Sequence, residues 1–129
     1  MPGIVVTILL LFSLLQVKHM LADYFLQTPR MLSGRGTYLH MGRAQHAAVH
    51  ALLSLPAFLV FGADFGFALA LVAAEWVVHF HIDWAKARYS EAQALNPAQA
   101  LFWCAFGVDQ TLHQLTYIAM VWAWIAYMV

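Results

Sequence analysis

The chain has 129 residues, of which 64% are hydrophobic and only 9% are charged, and its formal net charge is zero. Ordinary soluble domains carry about 25% charged residues, so this composition predicts a membrane protein. It argues against nucleic acid as a partner, and the single cysteine, Cys104, excludes an internal disulfide and any zinc site built from several cysteines.

Four segments contain almost no charged residues, and each approaches the ~20 residues needed to cross a bilayer. The first predicted span covers residues 4–27 and ends before Pro29, because the residue ahead of a proline disfavours helical geometry. The segment before its apolar run lacks basic residues and no cleavage pattern follows, so we expect a retained helix rather than a signal peptide. A loop is predicted for 28–43.

The second and third spans are predicted at 44–62 and 65–88. Pro56 removes a backbone donor inside the second span and is expected to kink it. Asp64 follows a turn at Gly62 and is predicted to cap the third helix.

The last segment is predicted to contain two helical pieces. Asn96 and Pro97 are typical of an N-cap and a first helical residue, and they would begin a short interfacial helix that ends at a hinge, Gly107. The final span then covers 108–129. We therefore predict an all-α fold, an integral membrane four-helix bundle forming a single domain over 1–129.

The basic residues indicate the orientation of this bundle. The first connection, the predicted loop 28–43, contains Arg30, Arg35 and Arg43. The third, the predicted loop 87–98, has Lys86 and Arg88 in or beside it, and Lys18 points toward the first, whereas the second connection and both termini have no basic residue. The positive-inside rule places these two loops in the cytoplasm and both termini outside.

Ionisable residues recur four positions apart in every predicted span, which places them on one helical face, one turn above the other. In an up-down bundle all of them except the deeper Glu75 lie in the cytoplasmic half. The set comprises His19, Asp23, His46, His50, Glu75, His79, Asp83, Asp109 and His113. His81 is about 200° round the helix from His79 and is expected to face away.

Burying the four carboxylates of the spans would cost roughly 10 kcal/mol on insertion scales, so something must offset them. Imidazole and carboxylate are ligands of zinc, iron and manganese, and helical bundles hold two-metal sites. We predict that the nine residues bind two divalent ions. Glu75 or Asp83 is the expected catalytic base, and Gln27, Lys86 and Gln110 are expected to support the ligands or bind substrate.

The predicted function is a membrane-embedded, metal-dependent hydrolase acting on a membrane-associated or amphiphilic substrate; with iron, oxidation of an acyl chain is equally consistent. A metal or proton carrier and a structural hydrogen-bond network without catalysis remain as alternatives. A carrier needs a polar path to the outer face, where residues 4–15, 52–61 and 118–129 offer almost no ionisable groups. The oligomeric state stays open.

Four stretches, "KHMLADYFLQ", "HAAVHALL", "EWVVHFHIDWAK" and "DQTLHQL", together resemble the domain-of-unknown-function 3307 family of small bacterial integral membrane proteins. The resemblance spans nearly the whole chain, and the family pattern falls on the predicted site residues. It implies a location in the bacterial inner membrane and a class of protein, but no activity.

Overall fold

The computed structural model describes residues 2–128, and this part of the chain is helical with no strand. The all-α prediction is therefore confirmed. The helices are α1 (Pro2–Met20), continued by a π-helical turn (Leu21–Phe25), α2 (Pro29–Leu32), α3 (Met41–Val60), α4 (Phe65–Ala92) and α5 (Ala100–Met128).

The four long helices pack side by side, with α3 against α4, α4 against α5, and α1 against both α3 and α5. Each buries one stripe with the helical period, as Asp109, His113, Tyr117, Val121 and Trp124 do on α5. The apolar core occupies one end of the molecule and includes Leu11, Leu15, Phe58, Val121 and Trp124. The other end of the same stripes is polar.

The end of the first helical segment differs from a regular α-helix. Leu26 N donates to Leu21 O at 2.9 Å, which closes a π turn and accommodates one extra residue before the chain leaves the helix. Thr28 then caps the short helix α2, with Pro29 at its first position. The predicted stop before Pro29 is confirmed, whereas the predicted loop 28–43 contains a helix.

The turn between α3 and α4 follows the prediction. Gly62 has φ +88°, a conformation that favours glycine, and the side chain of Asp64 accepts a hydrogen bond from Phe67 N at 2.9 Å. Pro56 lies inside α3. Helix α4 runs to Ala92, which is one turn beyond the predicted 65–88.

The predicted interfacial helix and its hinge are wrong. Asn96 Oδ1 accepts from Ala98 N at 3.0 Å and forms a turn ahead of the helix, and α5 then continues without interruption through Gly107. One interior glycine costs about 1 kcal/mol relative to alanine, and its neighbours in α5 are helix-compatible residues, so the helix persists.

Two helical segments are long and apolar enough to cross a membrane among residues 2–128. They are Gly3–Phe25, with mean hydropathy 2.1 in its most apolar stretch, and α4, with 1.6. Only 22% of each stretch is buried within the protein. Most residues of these two predicted spans are therefore not buried within the protein.

Candidate metal centre

The polar end of the helix stripes brings together five histidines and three aspartates. The five imidazole residues are between 0% and 5% exposed. We call this set the His/Asp cluster: His19, Asp23, His46, His50, His79, Asp83, Asp109 and His113. Eight of the nine predicted ligands therefore meet in one place, because their four-residue spacing keeps each pair on the buried face of its helix.

Asp23 is the carboxylate on the α1 side of the cluster. Its Oδ2 lies 3.0 Å from His19 Nε2, and its Oδ1 lies 2.9 Å from His50 Nε2 and 3.3 Å from His46 Nε2. Asp23 belongs to the π turn Leu21–Phe25.

Asp83 occupies the equivalent position on α4. Its Oδ2 lies 3.2 Å from His79 Nε2 and 3.5 Å from His46 Nε2, and its Oδ1 lies 3.1 Å from His113 Nε2. Each aspartate therefore meets three imidazoles, and His46 is common to both sets. The ring of His79 lies 4.1 Å from that of His113, centroid to centroid.

Two groups within the cluster could hold a metal ion, because one nitrogen or oxygen from every member lies within 4.8 Å of the others. The first group is Asp23, His46, His50 and His79, and the second is His79, Asp83 and His113. Among residues 2–128, Nε2 of His79 makes no hydrogen bond even though an Asp83 oxygen is 3.2 Å away. A buried ring nitrogen without a partner is costly, and a cation between the two groups would satisfy it.

His19 and Asp109 lie at the edge of the two groups. His19 Nδ1 is 2.7 Å from Tyr117 Oη, and its Nε2 is 3.1 Å from Gln110 Oε1. The amide of Gln110 also donates to Asp109 Oδ2 at 3.1 Å, while Asp109 Oδ1 is 3.6 Å from His113 Nε2. Gln110 thus contacts two members of the cluster, and its predicted supporting role stays a prediction.

Tyr117 was missed at the sequence level. It continues the spacing of Asp109 and His113 by four more residues and is 1% exposed, so the same periodicity could have identified it.

Glu75 lies apart from the two groups. It is 1% exposed and forms an ion pair with Lys18, which also donates to the His50 carbonyl at 3.1 Å. The structure therefore places Glu75 beside Lys18 and outside both metal groups, and its roles as a ligand and a catalytic base stay predictions. The sequence pattern had assigned Lys18 to the loop side, but it stands seven residues after Leu11 on the buried stripe of α1.

His79 rather than His81 faces the cluster, as the helical period predicts. His81 is exposed, with Nε2 2.8 Å from Tyr38 Oη and Nδ1 2.7 Å from the Val77 carbonyl.

A small polar cavity of about 100 Å³ opens beside the cluster. Asp23, His46, Asp83 and Asp109 face it from the cluster side. Its remaining polar lining includes the predicted Gln27, Lys86 and Gln110, together with Arg35, which was not predicted. Arg35 donates to Gln27 Oε1, so the two side chains form one wall of the opening. Four members of the cluster therefore share this cavity with two cationic side chains.

Arg43 fixes the segment that carries Arg35. This side chain is buried and donates to the carbonyls of Thr37 at 2.9 Å, Tyr38 at 2.5 Å and Phe80 at 2.7 Å. A guanidinium with several donors can satisfy all three acceptors, which ties the 33–40 segment to α4. From the sequence, Arg43 indicated only the orientation of the bundle in the membrane.

Comparison with known proteins found no match among curated proteins or solved structures. The model of one family, described as "Protein of unknown function (DUF3307)", matches residues 10–129. This range covers most of the chain and includes every member of the His/Asp cluster. The chain therefore belongs to the DUF3307 family.

Proposed function

We propose that the protein is a membrane-embedded, metal-dependent hydrolase whose centre is the His/Asp cluster. The observation that carries the proposal is the arrangement of Asp23 and Asp83, each within 3.5 Å of three imidazoles, beside an open polar cavity. Buried histidines and carboxylates with a free opening are the features of a catalytic metal site rather than a closed structural one.

A bilayer explains the outer surface of the helices. Large apolar side chains are exposed on all four long helices, among them Leu9 at 60%, Leu52 at 65%, Val77 at 54% and Trp122 at 70%. In water such faces would drive association, whereas lipid chains would cover them. We propose a four-helix bundle in the cytoplasmic membrane, with loops 28–43 and 87–98 in the cytoplasm, both termini outside, and the centre in the cytoplasmic half.

The donor set suits two divalent ions of zinc, iron or manganese. The six members of the two metal groups offer fewer ligands than two saturated ions need, which leaves coordination positions for water and substrate. Such ions would lower the pKa of a bound water and polarise a substrate oxygen.

Asp109 is the residue of this chain best placed to accept a proton from the attacking water. It lines the polar cavity, and among residues 2–128 its Oδ1 has no hydrogen-bond partner. It takes the general-base role that the sequence pattern assigned to Glu75 or Asp83. In hydrolysis the water oxygen joins the acid half of the substrate ester, and the proton leaves with the alcohol.

Metal analysis of detergent-purified protein tests the centre, and the chain supplies its own control. His79→Ala removes the residue shared by the two metal groups, and His81→Ala removes an exposed imidazole two positions away. We expect about two equivalents of metal in wild type and in His81→Ala and a large loss in His79→Ala, with unchanged helicity. Folded wild-type protein without metal would overturn the proposal.

Reconstituted protein separates catalysis from the two alternatives. We expect metal-dependent hydrolysis of an amphiphilic ester and no flux of metal ions or protons across the vesicle wall, because the core beyond the cluster is apolar. Ion flux would identify a carrier. Bound metal with neither flux nor hydrolysis would identify a structural ion.

A further inference from the structure

An apolar groove of about 360 Å³ lies between α4 and α5. Its apolar walls include Ile82, Ala85, Leu101, Val108 and Leu112. These residues belong to two neighbouring helices, and the groove opens outward. With loop 87–98 in the cytoplasm, the Leu101 end of the groove would lie at the level of the lipid head groups, and its Ile82 and Leu112 end would face the lipid chains.

The groove and the polar cavity are adjacent and share two residues. Lys86 and Asp109 line both of them. A molecule with an apolar chain and a polar head can therefore occupy the groove with its chain and reach the His/Asp cluster with its head.

The charged side chains that line the cavity indicate which polar head group would bind there. Arg35 and Lys86 are its two cationic side chains, and a guanidinium and an ammonium together favour a phosphate group. Asp23, Asp83 and Asp109 line the same cavity and would repel an anion. Metal ions on Asp23 and Asp83 would offset that repulsion, so binding of an anionic head should require the loaded centre.

We propose that the substrate is an anionic phospholipid of the surrounding bilayer, with an acyl chain in the α4–α5 groove and its phosphate between Arg35, Lys86 and the metal centre. The inference rests on the proposed function and names its substrate class. Free phosphate would leave the apolar groove unused. A zwitterionic lipid carries a cation in its head group, which Arg35 and Lys86 would repel.

The test is binding of radiolabelled phosphatidic acid to detergent-purified protein, with phosphatidylcholine and inorganic phosphate as competitors. Ala85→Trp fills the groove, and its control Ala74→Trp makes the same change at an exposed site of α4 that lies outside the groove. Lys86→Gln removes a cation shared by groove and cavity, and its control is the exposed Arg88→Gln.

We expect Ala85→Trp and Lys86→Gln to weaken binding about tenfold, the usual effect of losing one charge-assisted contact or one well-packed chain segment. The two controls should stay within about twofold of wild type, and chelation of the metal should abolish binding. Competition by inorganic phosphate as strong as that by lipid would overturn the inference in favour of a free anion.

Metal content measured on the same samples separates the two proposals. Full metal content with binding unaffected by both Ala85→Trp and Lys86→Gln overturns the lipid inference alone. Metal-free, folded wild type overturns the proposed function, and lipid binding by that protein would also overturn the role of the metal in neutralising the carboxylates.

Discussion

Asp23 and Asp83 meet at a single imidazole, because His46 Nε2 lies 3.3 Å from Asp23 Oδ1 and 3.5 Å from Asp83 Oδ2. Asp23 lies in the π turn that continues α1, Asp83 lies in α4, and α3 supplies the residue between them. The His/Asp cluster is therefore one continuous centre with two carboxylates, rather than a set of separate His-Asp pairs.

This geometry predicts that the two aspartates contribute separately to metal content. Asp23→Asn and Asp83→Asn preserve shape but remove the anionic ligand, so we expect each variant to retain about one metal equivalent of two. Elemental analysis of purified protein measures the ratio. Asp64→Asn is the matched control, because Asp64 lies outside the cluster and asparagine also caps a helix. Complete loss of metal in both aspartate variants would indicate a single shared ion instead.

The buried pair of Lys18 and Glu75 should matter for stability rather than metal binding. Removing one partner leaves an uncompensated buried charge, so Lys18→Met and Glu75→Gln alone should each destabilise the protein by about 3–5 kcal/mol. The double variant should recover much of that loss. Denaturant unfolding in detergent measures these differences, and Glu75→Gln should keep its metal. Loss of metal from a stable Glu75→Gln protein would restore Glu75 as a ligand.

The continuity of α5 predicts opposite effects for two glycines. A Cβ at Gly107 has no neighbour within 4 Å, so Gly107→Ala should stabilise the helix by up to about 1 kcal/mol. A Cβ at Gly42 would overlap the Arg30 carbonyl, so Gly42→Ala should destabilise the α2–α3 contact. Thermal unfolding of the two variants compares them. Destabilisation by Gly107→Ala would show that the helix needs flexibility there.

The helical period explains why most residues of the His/Asp cluster could be predicted from the sequence. Pairs such as His46 and His50 share a face because they are four residues apart, and this holds whatever the helix packs against. The same rule separated His79 from His81. Capping chemistry likewise predicted Asp64, since its short side chain acts on its own helix.

The features that the sequence did not predict have a different cause, because they depend on contacts between helices or between a helix and a loop. A single helix pattern does not reveal how far one helix is rotated against the next, so the choice of Lys18 as the partner of Glu75 required the packed structure. The position of Arg35 also depends on a contact outside its own segment, with Gln27. The predicted hinge at Gly107 was wrong because glycine occurs at hinges and also inside uninterrupted helices of apolar segments.

Arg43 provides a final prediction about the wall of the polar cavity. Its guanidinium holds the carbonyls of Thr37, Tyr38 and Phe80, and Arg35 lies on the segment that it fixes. Arg43→Met should cost about 2–3 kcal/mol because hydrogen bonds from a charged donor are lost and the acceptors stay partly buried. Faster amide exchange should then appear in residues 33–40, while the middle of α3 stays protected.

The control for Arg43→Met is Arg30→Met, which removes an exposed cation on α2. Its exchange pattern should match wild type, since Arg30 holds none of these carbonyls with its side chain. Because Arg35 would lose its fixed position when the segment loosens, Arg43→Met should also weaken phosphatidic acid binding while metal content is preserved. Unchanged exchange in residues 33–40 would contradict this role of Arg43, and loss of metal would show that the segment supports the cluster itself.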